Sequence, residues 1–267
     1  MSVHQRYPEV WRRRSPGESA IAWAWIAAVA LATAWSVSAL DIEWAFFQDA
    51  HVQAWDLAQR MWPPRWAYLP QIVAPILETI HIATLGTALA LVFAIPLAFL
   101  SARNTTRNGL TWALGRALLV ASRSVNTVIW GLLFVAIFGP GPLAGVAAVA
   151  ARSVGFLAKL IAEAIEEADR GPVEAVVSTG AGTAQVYLIG ILPQVMPVIA
   201  GTTVYRWDIN IRESSVLGFV GAGGIGLQLY ASINQFAWSQ VLVVLAAILV
   251  IVLASEAVSA YVRGRIT

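Results

Sequence analysis

Two groups of polar side chains interrupt long apolar stretches of this chain. Arg206, Asp208, Arg212 and Glu213 form one, and Arg123, Ser124 and Asn126 form the other. Arginine carries a planar fork of N–H donors that suits anions, and charged groups placed within lipid-spanning segments usually face a bundle interior or water. A plainer role is open to the first group, in which Arg206 with Asp208, and Arg212 with Glu213, neutralise one another.

Several chemistries are excluded. There is no cysteine, so disulfides, thiolate metal sites and cysteine nucleophiles are ruled out. The three histidines, His4, His51 and His81, are too scattered for a helical zinc pattern, and no metal site is expected. No glycine-rich loop ending in Gly-Lys-Ser or Gly-Lys-Thr occurs, so the chain does not hydrolyse nucleotides by itself. Gly221, Gly223 and Gly226 satisfy the spacing of a dinucleotide loop, but no acidic residue lies between Glu213 and Glu256 to hold a ribose. With Gly224 they are better read as a bend or gate, where irregular backbone is buried in protein or lines a wet cavity. An intramembrane hydrolase is a further alternative. It has His81 within a predicted span, but no Gly-x-Ser-x-Gly elbow.

The solvent that these groups meet follows from composition. Of 267 residues only 12% are charged and 58% are hydrophobic, with a mean hydropathy of +0.70. That leaves too little polar surface for a water-soluble particle of this size. A helix needs about 20 apolar residues to cross roughly 30 Å of hydrocarbon. Six spans are predicted, in an all-α polytopic membrane protein. The first, Ser19 to Leu40, is longer than a cleavable signal core and reads as a retained anchor. The second runs from Thr79 to Leu100. The third and fourth share the uncharged stretch between Arg123 and Arg152, divided by Gly139-Pro140-Gly141-Pro142. The fifth lies between Ile191 and Trp207, and the sixth between Ser239 and Val262. Eleven Leu, Ile or Val residues fall in 239–255. At roughly −0.3 to −0.6 kcal/mol each they favour insertion by about 3 to 7 kcal/mol.

Orientation follows from 16 arginines and a single lysine, because basic loops stay on the cytoplasmic side. Both termini are therefore predicted inside. Arg6 with Arg12 to Arg14, Arg103, Arg107, Arg116, Arg123, Arg152, Lys159, Arg170, Arg263 and Arg265 then lie inside or near that interface. The outer segments keep Arg60, Arg65, Arg206 and Arg212. The expected organisation is a cytoplasmic segment 1–18, an anchor 19–40, an external loop 41–78 and a core 79–267. Within the external loop, Val52, Trp55, Ala58 and Trp62 share one helical face, as an interfacial helix or a short loop helix, ended by Pro63-Pro64.

The segment joining the fourth and fifth spans, 163–190, carries Glu163, Glu166, Glu167, Asp169, Arg170 and Glu174 and must leave the membrane. A short helix, a glycine turn at Gly180-Ala181-Gly182 and a second helical start at Leu192-Pro193 are predicted. These residues resemble the permease subunits of binding-protein-dependent ATP-driven importers. Their cytoplasmic loop reads Glu-Ala-Ala, three residues, Gly, nine residues, Ile-x-Leu-Pro. Glu174, Ala175, Gly180, Leu192 and Pro193 match it. Val176 replaces a small residue, and Gly190 stands where Ile is expected, which removes an apolar contact.

Over Glu78 to Arg263 the chain is similar to the phosphonate branch of that family. The resemblance rests on 96–104, on 123–130 and on 210–218. Methionine and quaternary-amine permeases share the glycine segment, and those cargoes stay open as alternatives. The resemblance implies a type I ABC importer permease in a bacterial plasma membrane, moving phosphonate or a related phosphorus oxyanion inward. It implies a coupling loop docked on separate ATPase subunits, which bind ATP and magnesium, and an external solute-binding protein. A second copy of the chain is expected beside it, with a paralogous partner open, and nucleic acid is no partner. Arg123, Ser124, Asn126, Arg206, Arg212 and Glu213 become candidates for the translocation pathway, with Arg206 or Arg212 in an outer vestibule.

Overall fold

The computed structural model describes residues 16–40, 43–106 and 108–266, and all of its regular elements are helices. Residues 1–15 of the expected cytoplasmic segment 1–18, with its four arginines, and Arg107 lie outside the described residues. The chain divides into two units, residues 1–57 and 58–267.

The first unit holds α1 (Pro16–Ala39) and most of α2 (Trp44–Met61). The anchor helix α1 is apolar all round and buries none of its residues; Trp23, Trp25 and Trp35 are each about 70% exposed. A helix with no preferred face is suited to lipid rather than to a protein core. The second helix stops at Met61, just before Pro63-Pro64, so Trp62 lies beyond the helix whose face it was expected to extend.

The second unit begins with a 3-10 turn, Trp66–Tyr68, leading into α3 (Leu69–Ser101). This helix starts ten residues before the predicted span. Glu78, taken as a boundary, lies inside it and is half-buried. The stretch expected as an external loop, 41–78, thus ends inside this helix.

The third span departs most from expectation. Helix α5 (Thr127–Phe138) has 12 residues, about 18 Å at 1.5 Å per residue, and is too short to cross alone. It is the second half of a broken pair with α4 (Gly109–Ser124), bent by 92°. The side chain of Asn126 accepts a hydrogen bond from the Val128 N–H (3.0 Å), capping α5 where the chain turns. Helix α6 (Pro142–Glu167) then runs well past Arg152. Arg152, expected inside or near the cytoplasmic interface, lies ten residues into this 26-residue helix rather than at its end.

The remaining elements are α7 (Arg170–Ser178), an α-turn Thr183–Gln185, a π-helical stretch Val186–Ile191 and α8 (Leu192–Leu217). A 3-10 turn Gly218–Val220, then α9 (Ile225–Asn234) and α10 (Trp238–Ile266), complete the chain. Among the described residues five helices or helical runs are long and apolar enough to cross a membrane, or six crossings with the broken pair.

Small residues set how closely these helices pack. One stripe of α3 buries Ala83, Gly86, Ala90, Ala94 and Ala98 against Ala144, Ala148, Leu157 and Ala158 of α6. A Cβ at Gly86 would meet Val149 Cγ1 at 2.6 Å, so this crossing requires glycine. In lipid there is no hydrophobic drive between helices, and such van der Waals contact is what holds them.

The core has two distinct ends. At one, Tyr187 donates to the Thr105 carbonyl (2.7 Å), and Glu166 receives the Arg103 N–H (2.9 Å) and pairs with Arg116 (3.0 Å). At the other, the Gly141 N–H donates to the Gly221 carbonyl (2.9 Å) and the Arg65 N–H to Ser239 (3.2 Å). The acidic 163–174 segment and α7 belong to the first end, the glycine segment to the second.

Candidate functional site

The elbow at the first end is held by two polar residues that the sequence motif does not contain. Asp169 caps α7 by accepting from the Gly171 N–H (3.1 Å). Gln194, in the first turn of α8, accepts from the Asp169 N–H (2.9 Å) and donates to the carbonyls of Asp169 (3.2 Å) and Gly190 (2.6 Å). One amide thereby ties both arms of the elbow together. Its cue was present, since a glutamine beside Pro193 can reach backbone that a proline leaves unpaired, but nothing in the sequence says which backbone.

Pro193 has no N–H and would crowd the carbonyl four residues earlier in a regular helix. The wider π turn of Val186–Ile191 lies directly before it and absorbs that conflict. Leu192 is half-buried beneath the elbow, whereas Glu174 and Ala175 are exposed on it. Ala175, Val176, Thr179, Gly180 and Gln185 line a hollow of about 510 Å³ on the outer side of the elbow. Gly180 sits at φ +76° with open space around it, so the turn favours glycine for its backbone and not for lack of room.

Gly190 needs a different account from the one its departure suggests. It is buried, and a Cβ there would lie 3.3 Å from Val173 Cα. Instead of losing an apolar contact, the glycine lets α7 approach the π segment.

The polar residues of α8 lie inside its span, not after it. Arg206 and Asp208 are each only 3% exposed. The pairing is also crossed relative to expectation: Arg206 pairs with Glu213 (3.2 Å) and Arg212 with Asp208. Helical geometry dictates this, since residues one or two apart do not face each other whereas those three, four or seven apart do. Around this core, Arg206 Nε donates to Ser153 Oγ (3.0 Å), and its guanidinium stacks on Phe156, 5.2 Å from the ring centroid. Thr127 donates to Glu213, and Arg152 lies 3.6 Å from the other Glu213 oxygen. Asn210 donates to Thr87 Oγ1 (2.7 Å) and Ser153 Oγ (3.0 Å), and Ser255 donates to Asp208 (2.6 Å). Four helices, α3, α5, α6 and α8, thus meet in one polar network, and a second group on α8, Asp208 with Arg212, is tied to α10 through Ser255.

An arginine at mid-span costs about 2.5–3.5 kcal/mol, while an interhelical hydrogen bond returns about 0.6. Arg206 therefore needs its carboxylate as well as its hydroxyl partner. The structure joins Arg206, Glu213 and Arg212 in this region but does not bring the other three candidates to it. Asn126 caps α5, Ser124 donates to its own helix at Val120 (2.7 Å), and Arg123 is exposed. Thr127, Arg152, Ser153 and Asn210 were missed. Arg152 carries a signal, a charge amid apolar residues, but in the sequence it reads equally as the end of a span.

The glycine segment is a close-packed bend, buried from Ala222 to Gly226. Gly221, Gly223 and Gly224 all have φ near +80°. Side chains there would strike Glu78 and Thr79, and the Thr79 hydroxyl accepts the Ile225 N–H (2.8 Å). Gly226 packs on Ser215 and Gly218.

Comparison with known proteins places these features in context. Residues 94–267 match the family described as binding-protein-dependent transport system inner membrane component. The phosphite transport system permease protein PtxC of Stutzerimonas stutzeri is 42% identical over 207 residues, 78% of this chain and 75% of that one. The phosphate-import permease protein PhnE of Mycolicibacterium smegmatis is 44% identical over 207 residues, covering 78% of this chain but 39% of the relative. Among solved structures, the MetNI methionine ABC transporter superposes with a TM-score of 0.66 at 19% identity. That match covers 76% of this chain and 99% of the other.

Proposed function

This chain belongs to the binding-protein-dependent transport system inner membrane components, a multi-pass permease family, and from that premise we propose that it imports a small phosphorus oxyanion. It is a transport subunit rather than an enzyme. The names of PtxC and PhnE support phosphite or phosphate as cargo, with phosphonates as close chemical kin. The chain works with ATPase subunits that carry the ATP and magnesium, with an external solute-binding protein, and beside a second copy of itself. Both termini face the cytoplasm, as the basic end segments require.

The observation that carries this reading is the elbow. A nine-residue helix, capped by Asp169 and tied back by Gln194, presents exposed Glu174 and Ala175 beside an open hollow. An ATPase pair closing on nucleotide would move α7, and its clamp to α8 would pass that motion to the span holding Arg206 and Glu213. The glycine bend closes the far end of the same span. The two arrangements of such a bundle are biased from both faces, by the motor inside and the binding protein outside.

The test is reconstitution of the complex with its ATPase and binding protein in proteoliposomes. ATP-dependent uptake of phosphite, phosphate or methylphosphonate is expected. Uptake of methionine in their place, or none that needs ATP, would contradict the proposal.

A further inference from the structure

The charged groups of α6 and α8 do not balance. Arg212 and Asp208 neutralise each other, and Arg206, 3% exposed, is matched to Glu213 at 3.2 Å. Arg152 is left over. It approaches the same carboxylate only at 3.6 Å, beyond hydrogen-bond reach, and its guanidinium makes no hydrogen bond among the described residues. Its side chain is 30% exposed. At ten residues into α6 it stands about 15 Å along the helix, half the thickness of the hydrocarbon. A surplus arginine at that depth is costly and marks a functional site.

We propose that Arg152 is the pathway cation of this permease, forming with Thr127 and the Glu213 carboxylate a transit site for a phosphorus oxyanion half-way across the membrane. Arg206 is the positioning residue: its Nε on Ser153, its Nη2 on Glu213 and its face on Phe156 fix the carboxylate and leave it no free side toward a passing ion. Arg152 keeps donors to spare in the fork geometry that oxyanions accept. Glu213 serves a second purpose. A pathway must attract its ion without trapping it, and a carboxylate at 3.6 Å offsets part of the arginine's charge. The break between α4 and α5 makes this arrangement possible, because it delivers Thr127 to Glu213 while Ser122, on the other side of the bend, accepts from the Gly155 N–H (3.0 Å) and packs on the turn that carries Arg152.

This inference rests on the oxyanion-import reading, and one experiment separates the two. The complete complex, with ATPase subunits and binding protein, is reconstituted as wild type, Arg152→Gln and Arg152→Lys, and ATP-driven uptake of radiolabelled phosphate and phosphite is measured against concentration. Arg152→Gln is expected to lower maximal uptake by about tenfold or more, with the half-saturating concentration unchanged because the binding protein sets it. Arg152→Lys, which keeps the charge without the fork, is expected to restore uptake to within a few-fold of wild type. Wild-type uptake in Arg152→Gln overturns the inference. So does a lysine variant as impaired as the glutamine one, or failure of both to assemble, since each marks a purely structural arginine. If wild type itself moves neither ion, the cargo reading fails and the inference falls with it.

Discussion

Arg206 and Glu213 are seven residues apart on one helix and 3.2 Å apart in space, with Arg206 almost wholly buried. The pair lies two turns along the same face of α8, where each end meets a different neighbour: Ser153 of α6 at the arginine and Thr127 of α5 at the carboxylate. The contact therefore fastens three spans, and its removal has consequences that depend on which partner is taken.

Replacing the carboxylate alone, in Glu213→Gln, leaves a buried guanidinium without its counter-charge. The expected cost is about 3–5 kcal/mol, read as a fall in the thermal unfolding midpoint of the purified permease. Arg206→Met with Glu213→Gln should recover much of that loss. A double variant less stable than the single one would contradict the pairing.

At Gly190 the family pattern would place isoleucine, which the close approach of Val173 disfavours. Gly190→Ile must push α7 away from the π segment, at about 1–3 kcal/mol for an overpacked contact. Gly190→Ala should cost less, since Val173 need give only a few tenths of an ångström. Denaturation of the two variants in detergent checks the order.

Gly180 tests the turn and the docking separately. Open space surrounds it, so asparagine, which tolerates a left-handed backbone, should couple normally, while valine costs about 1–2 kcal/mol in the turn. Gly180→Trp should insert in the membrane yet abolish ATPase stimulation by the binding protein. Normal stimulation would place the motor elsewhere.

Asn126→Ala removes the cap of α5 and should lower stability by about 1 kcal/mol. Measured by thermal unfolding alongside uptake, the loss should come without a change in the preference among phosphite, phosphate and methylphosphonate. An altered preference would return Asn126 to the pathway.

Much of this architecture is legible in the chain. Uncharged runs long enough to cross lipid identify α1, α6, α8 and α10, and Glu174, Ala175, Gly180, Leu192 and Pro193 locate the elbow. What escapes does so for a common reason. A lone charge in hydrocarbon is costly, so Glu78 and Arg152 read as ends of spans and the group from Arg206 to Glu213 as lying after one, yet Arg206 is paired with Glu213 two turns away on its own helix, and Arg152 approaches the same carboxylate from another helix. Glu78 lies against Gly223 of the glycine bend. Neither the crossed pairing within α8 nor the clamp by Gln194 can be read from composition, because both depend on which faces meet. The broken third span escapes for a local reason: Val125-Asn126 interrupts an apolar run without a proline or glycine to announce it.

The account turns on the elbow facing a motor inside the cell. The absence of native cysteine makes a decisive measurement direct, because Ala175→Cys and Phe236→Cys each introduce a single thiol, at exposed positions on opposite ends of the core. In intact cells a membrane-impermeant maleimide should label the thiol at 236 and spare the one at 175. In the assembled complex the thiol at 175 should cross-link to an ATPase subunit, and more so with nucleotide bound. Labelling at 175 from outside, or a complex in which that thiol reaches no ATPase, would contradict the account.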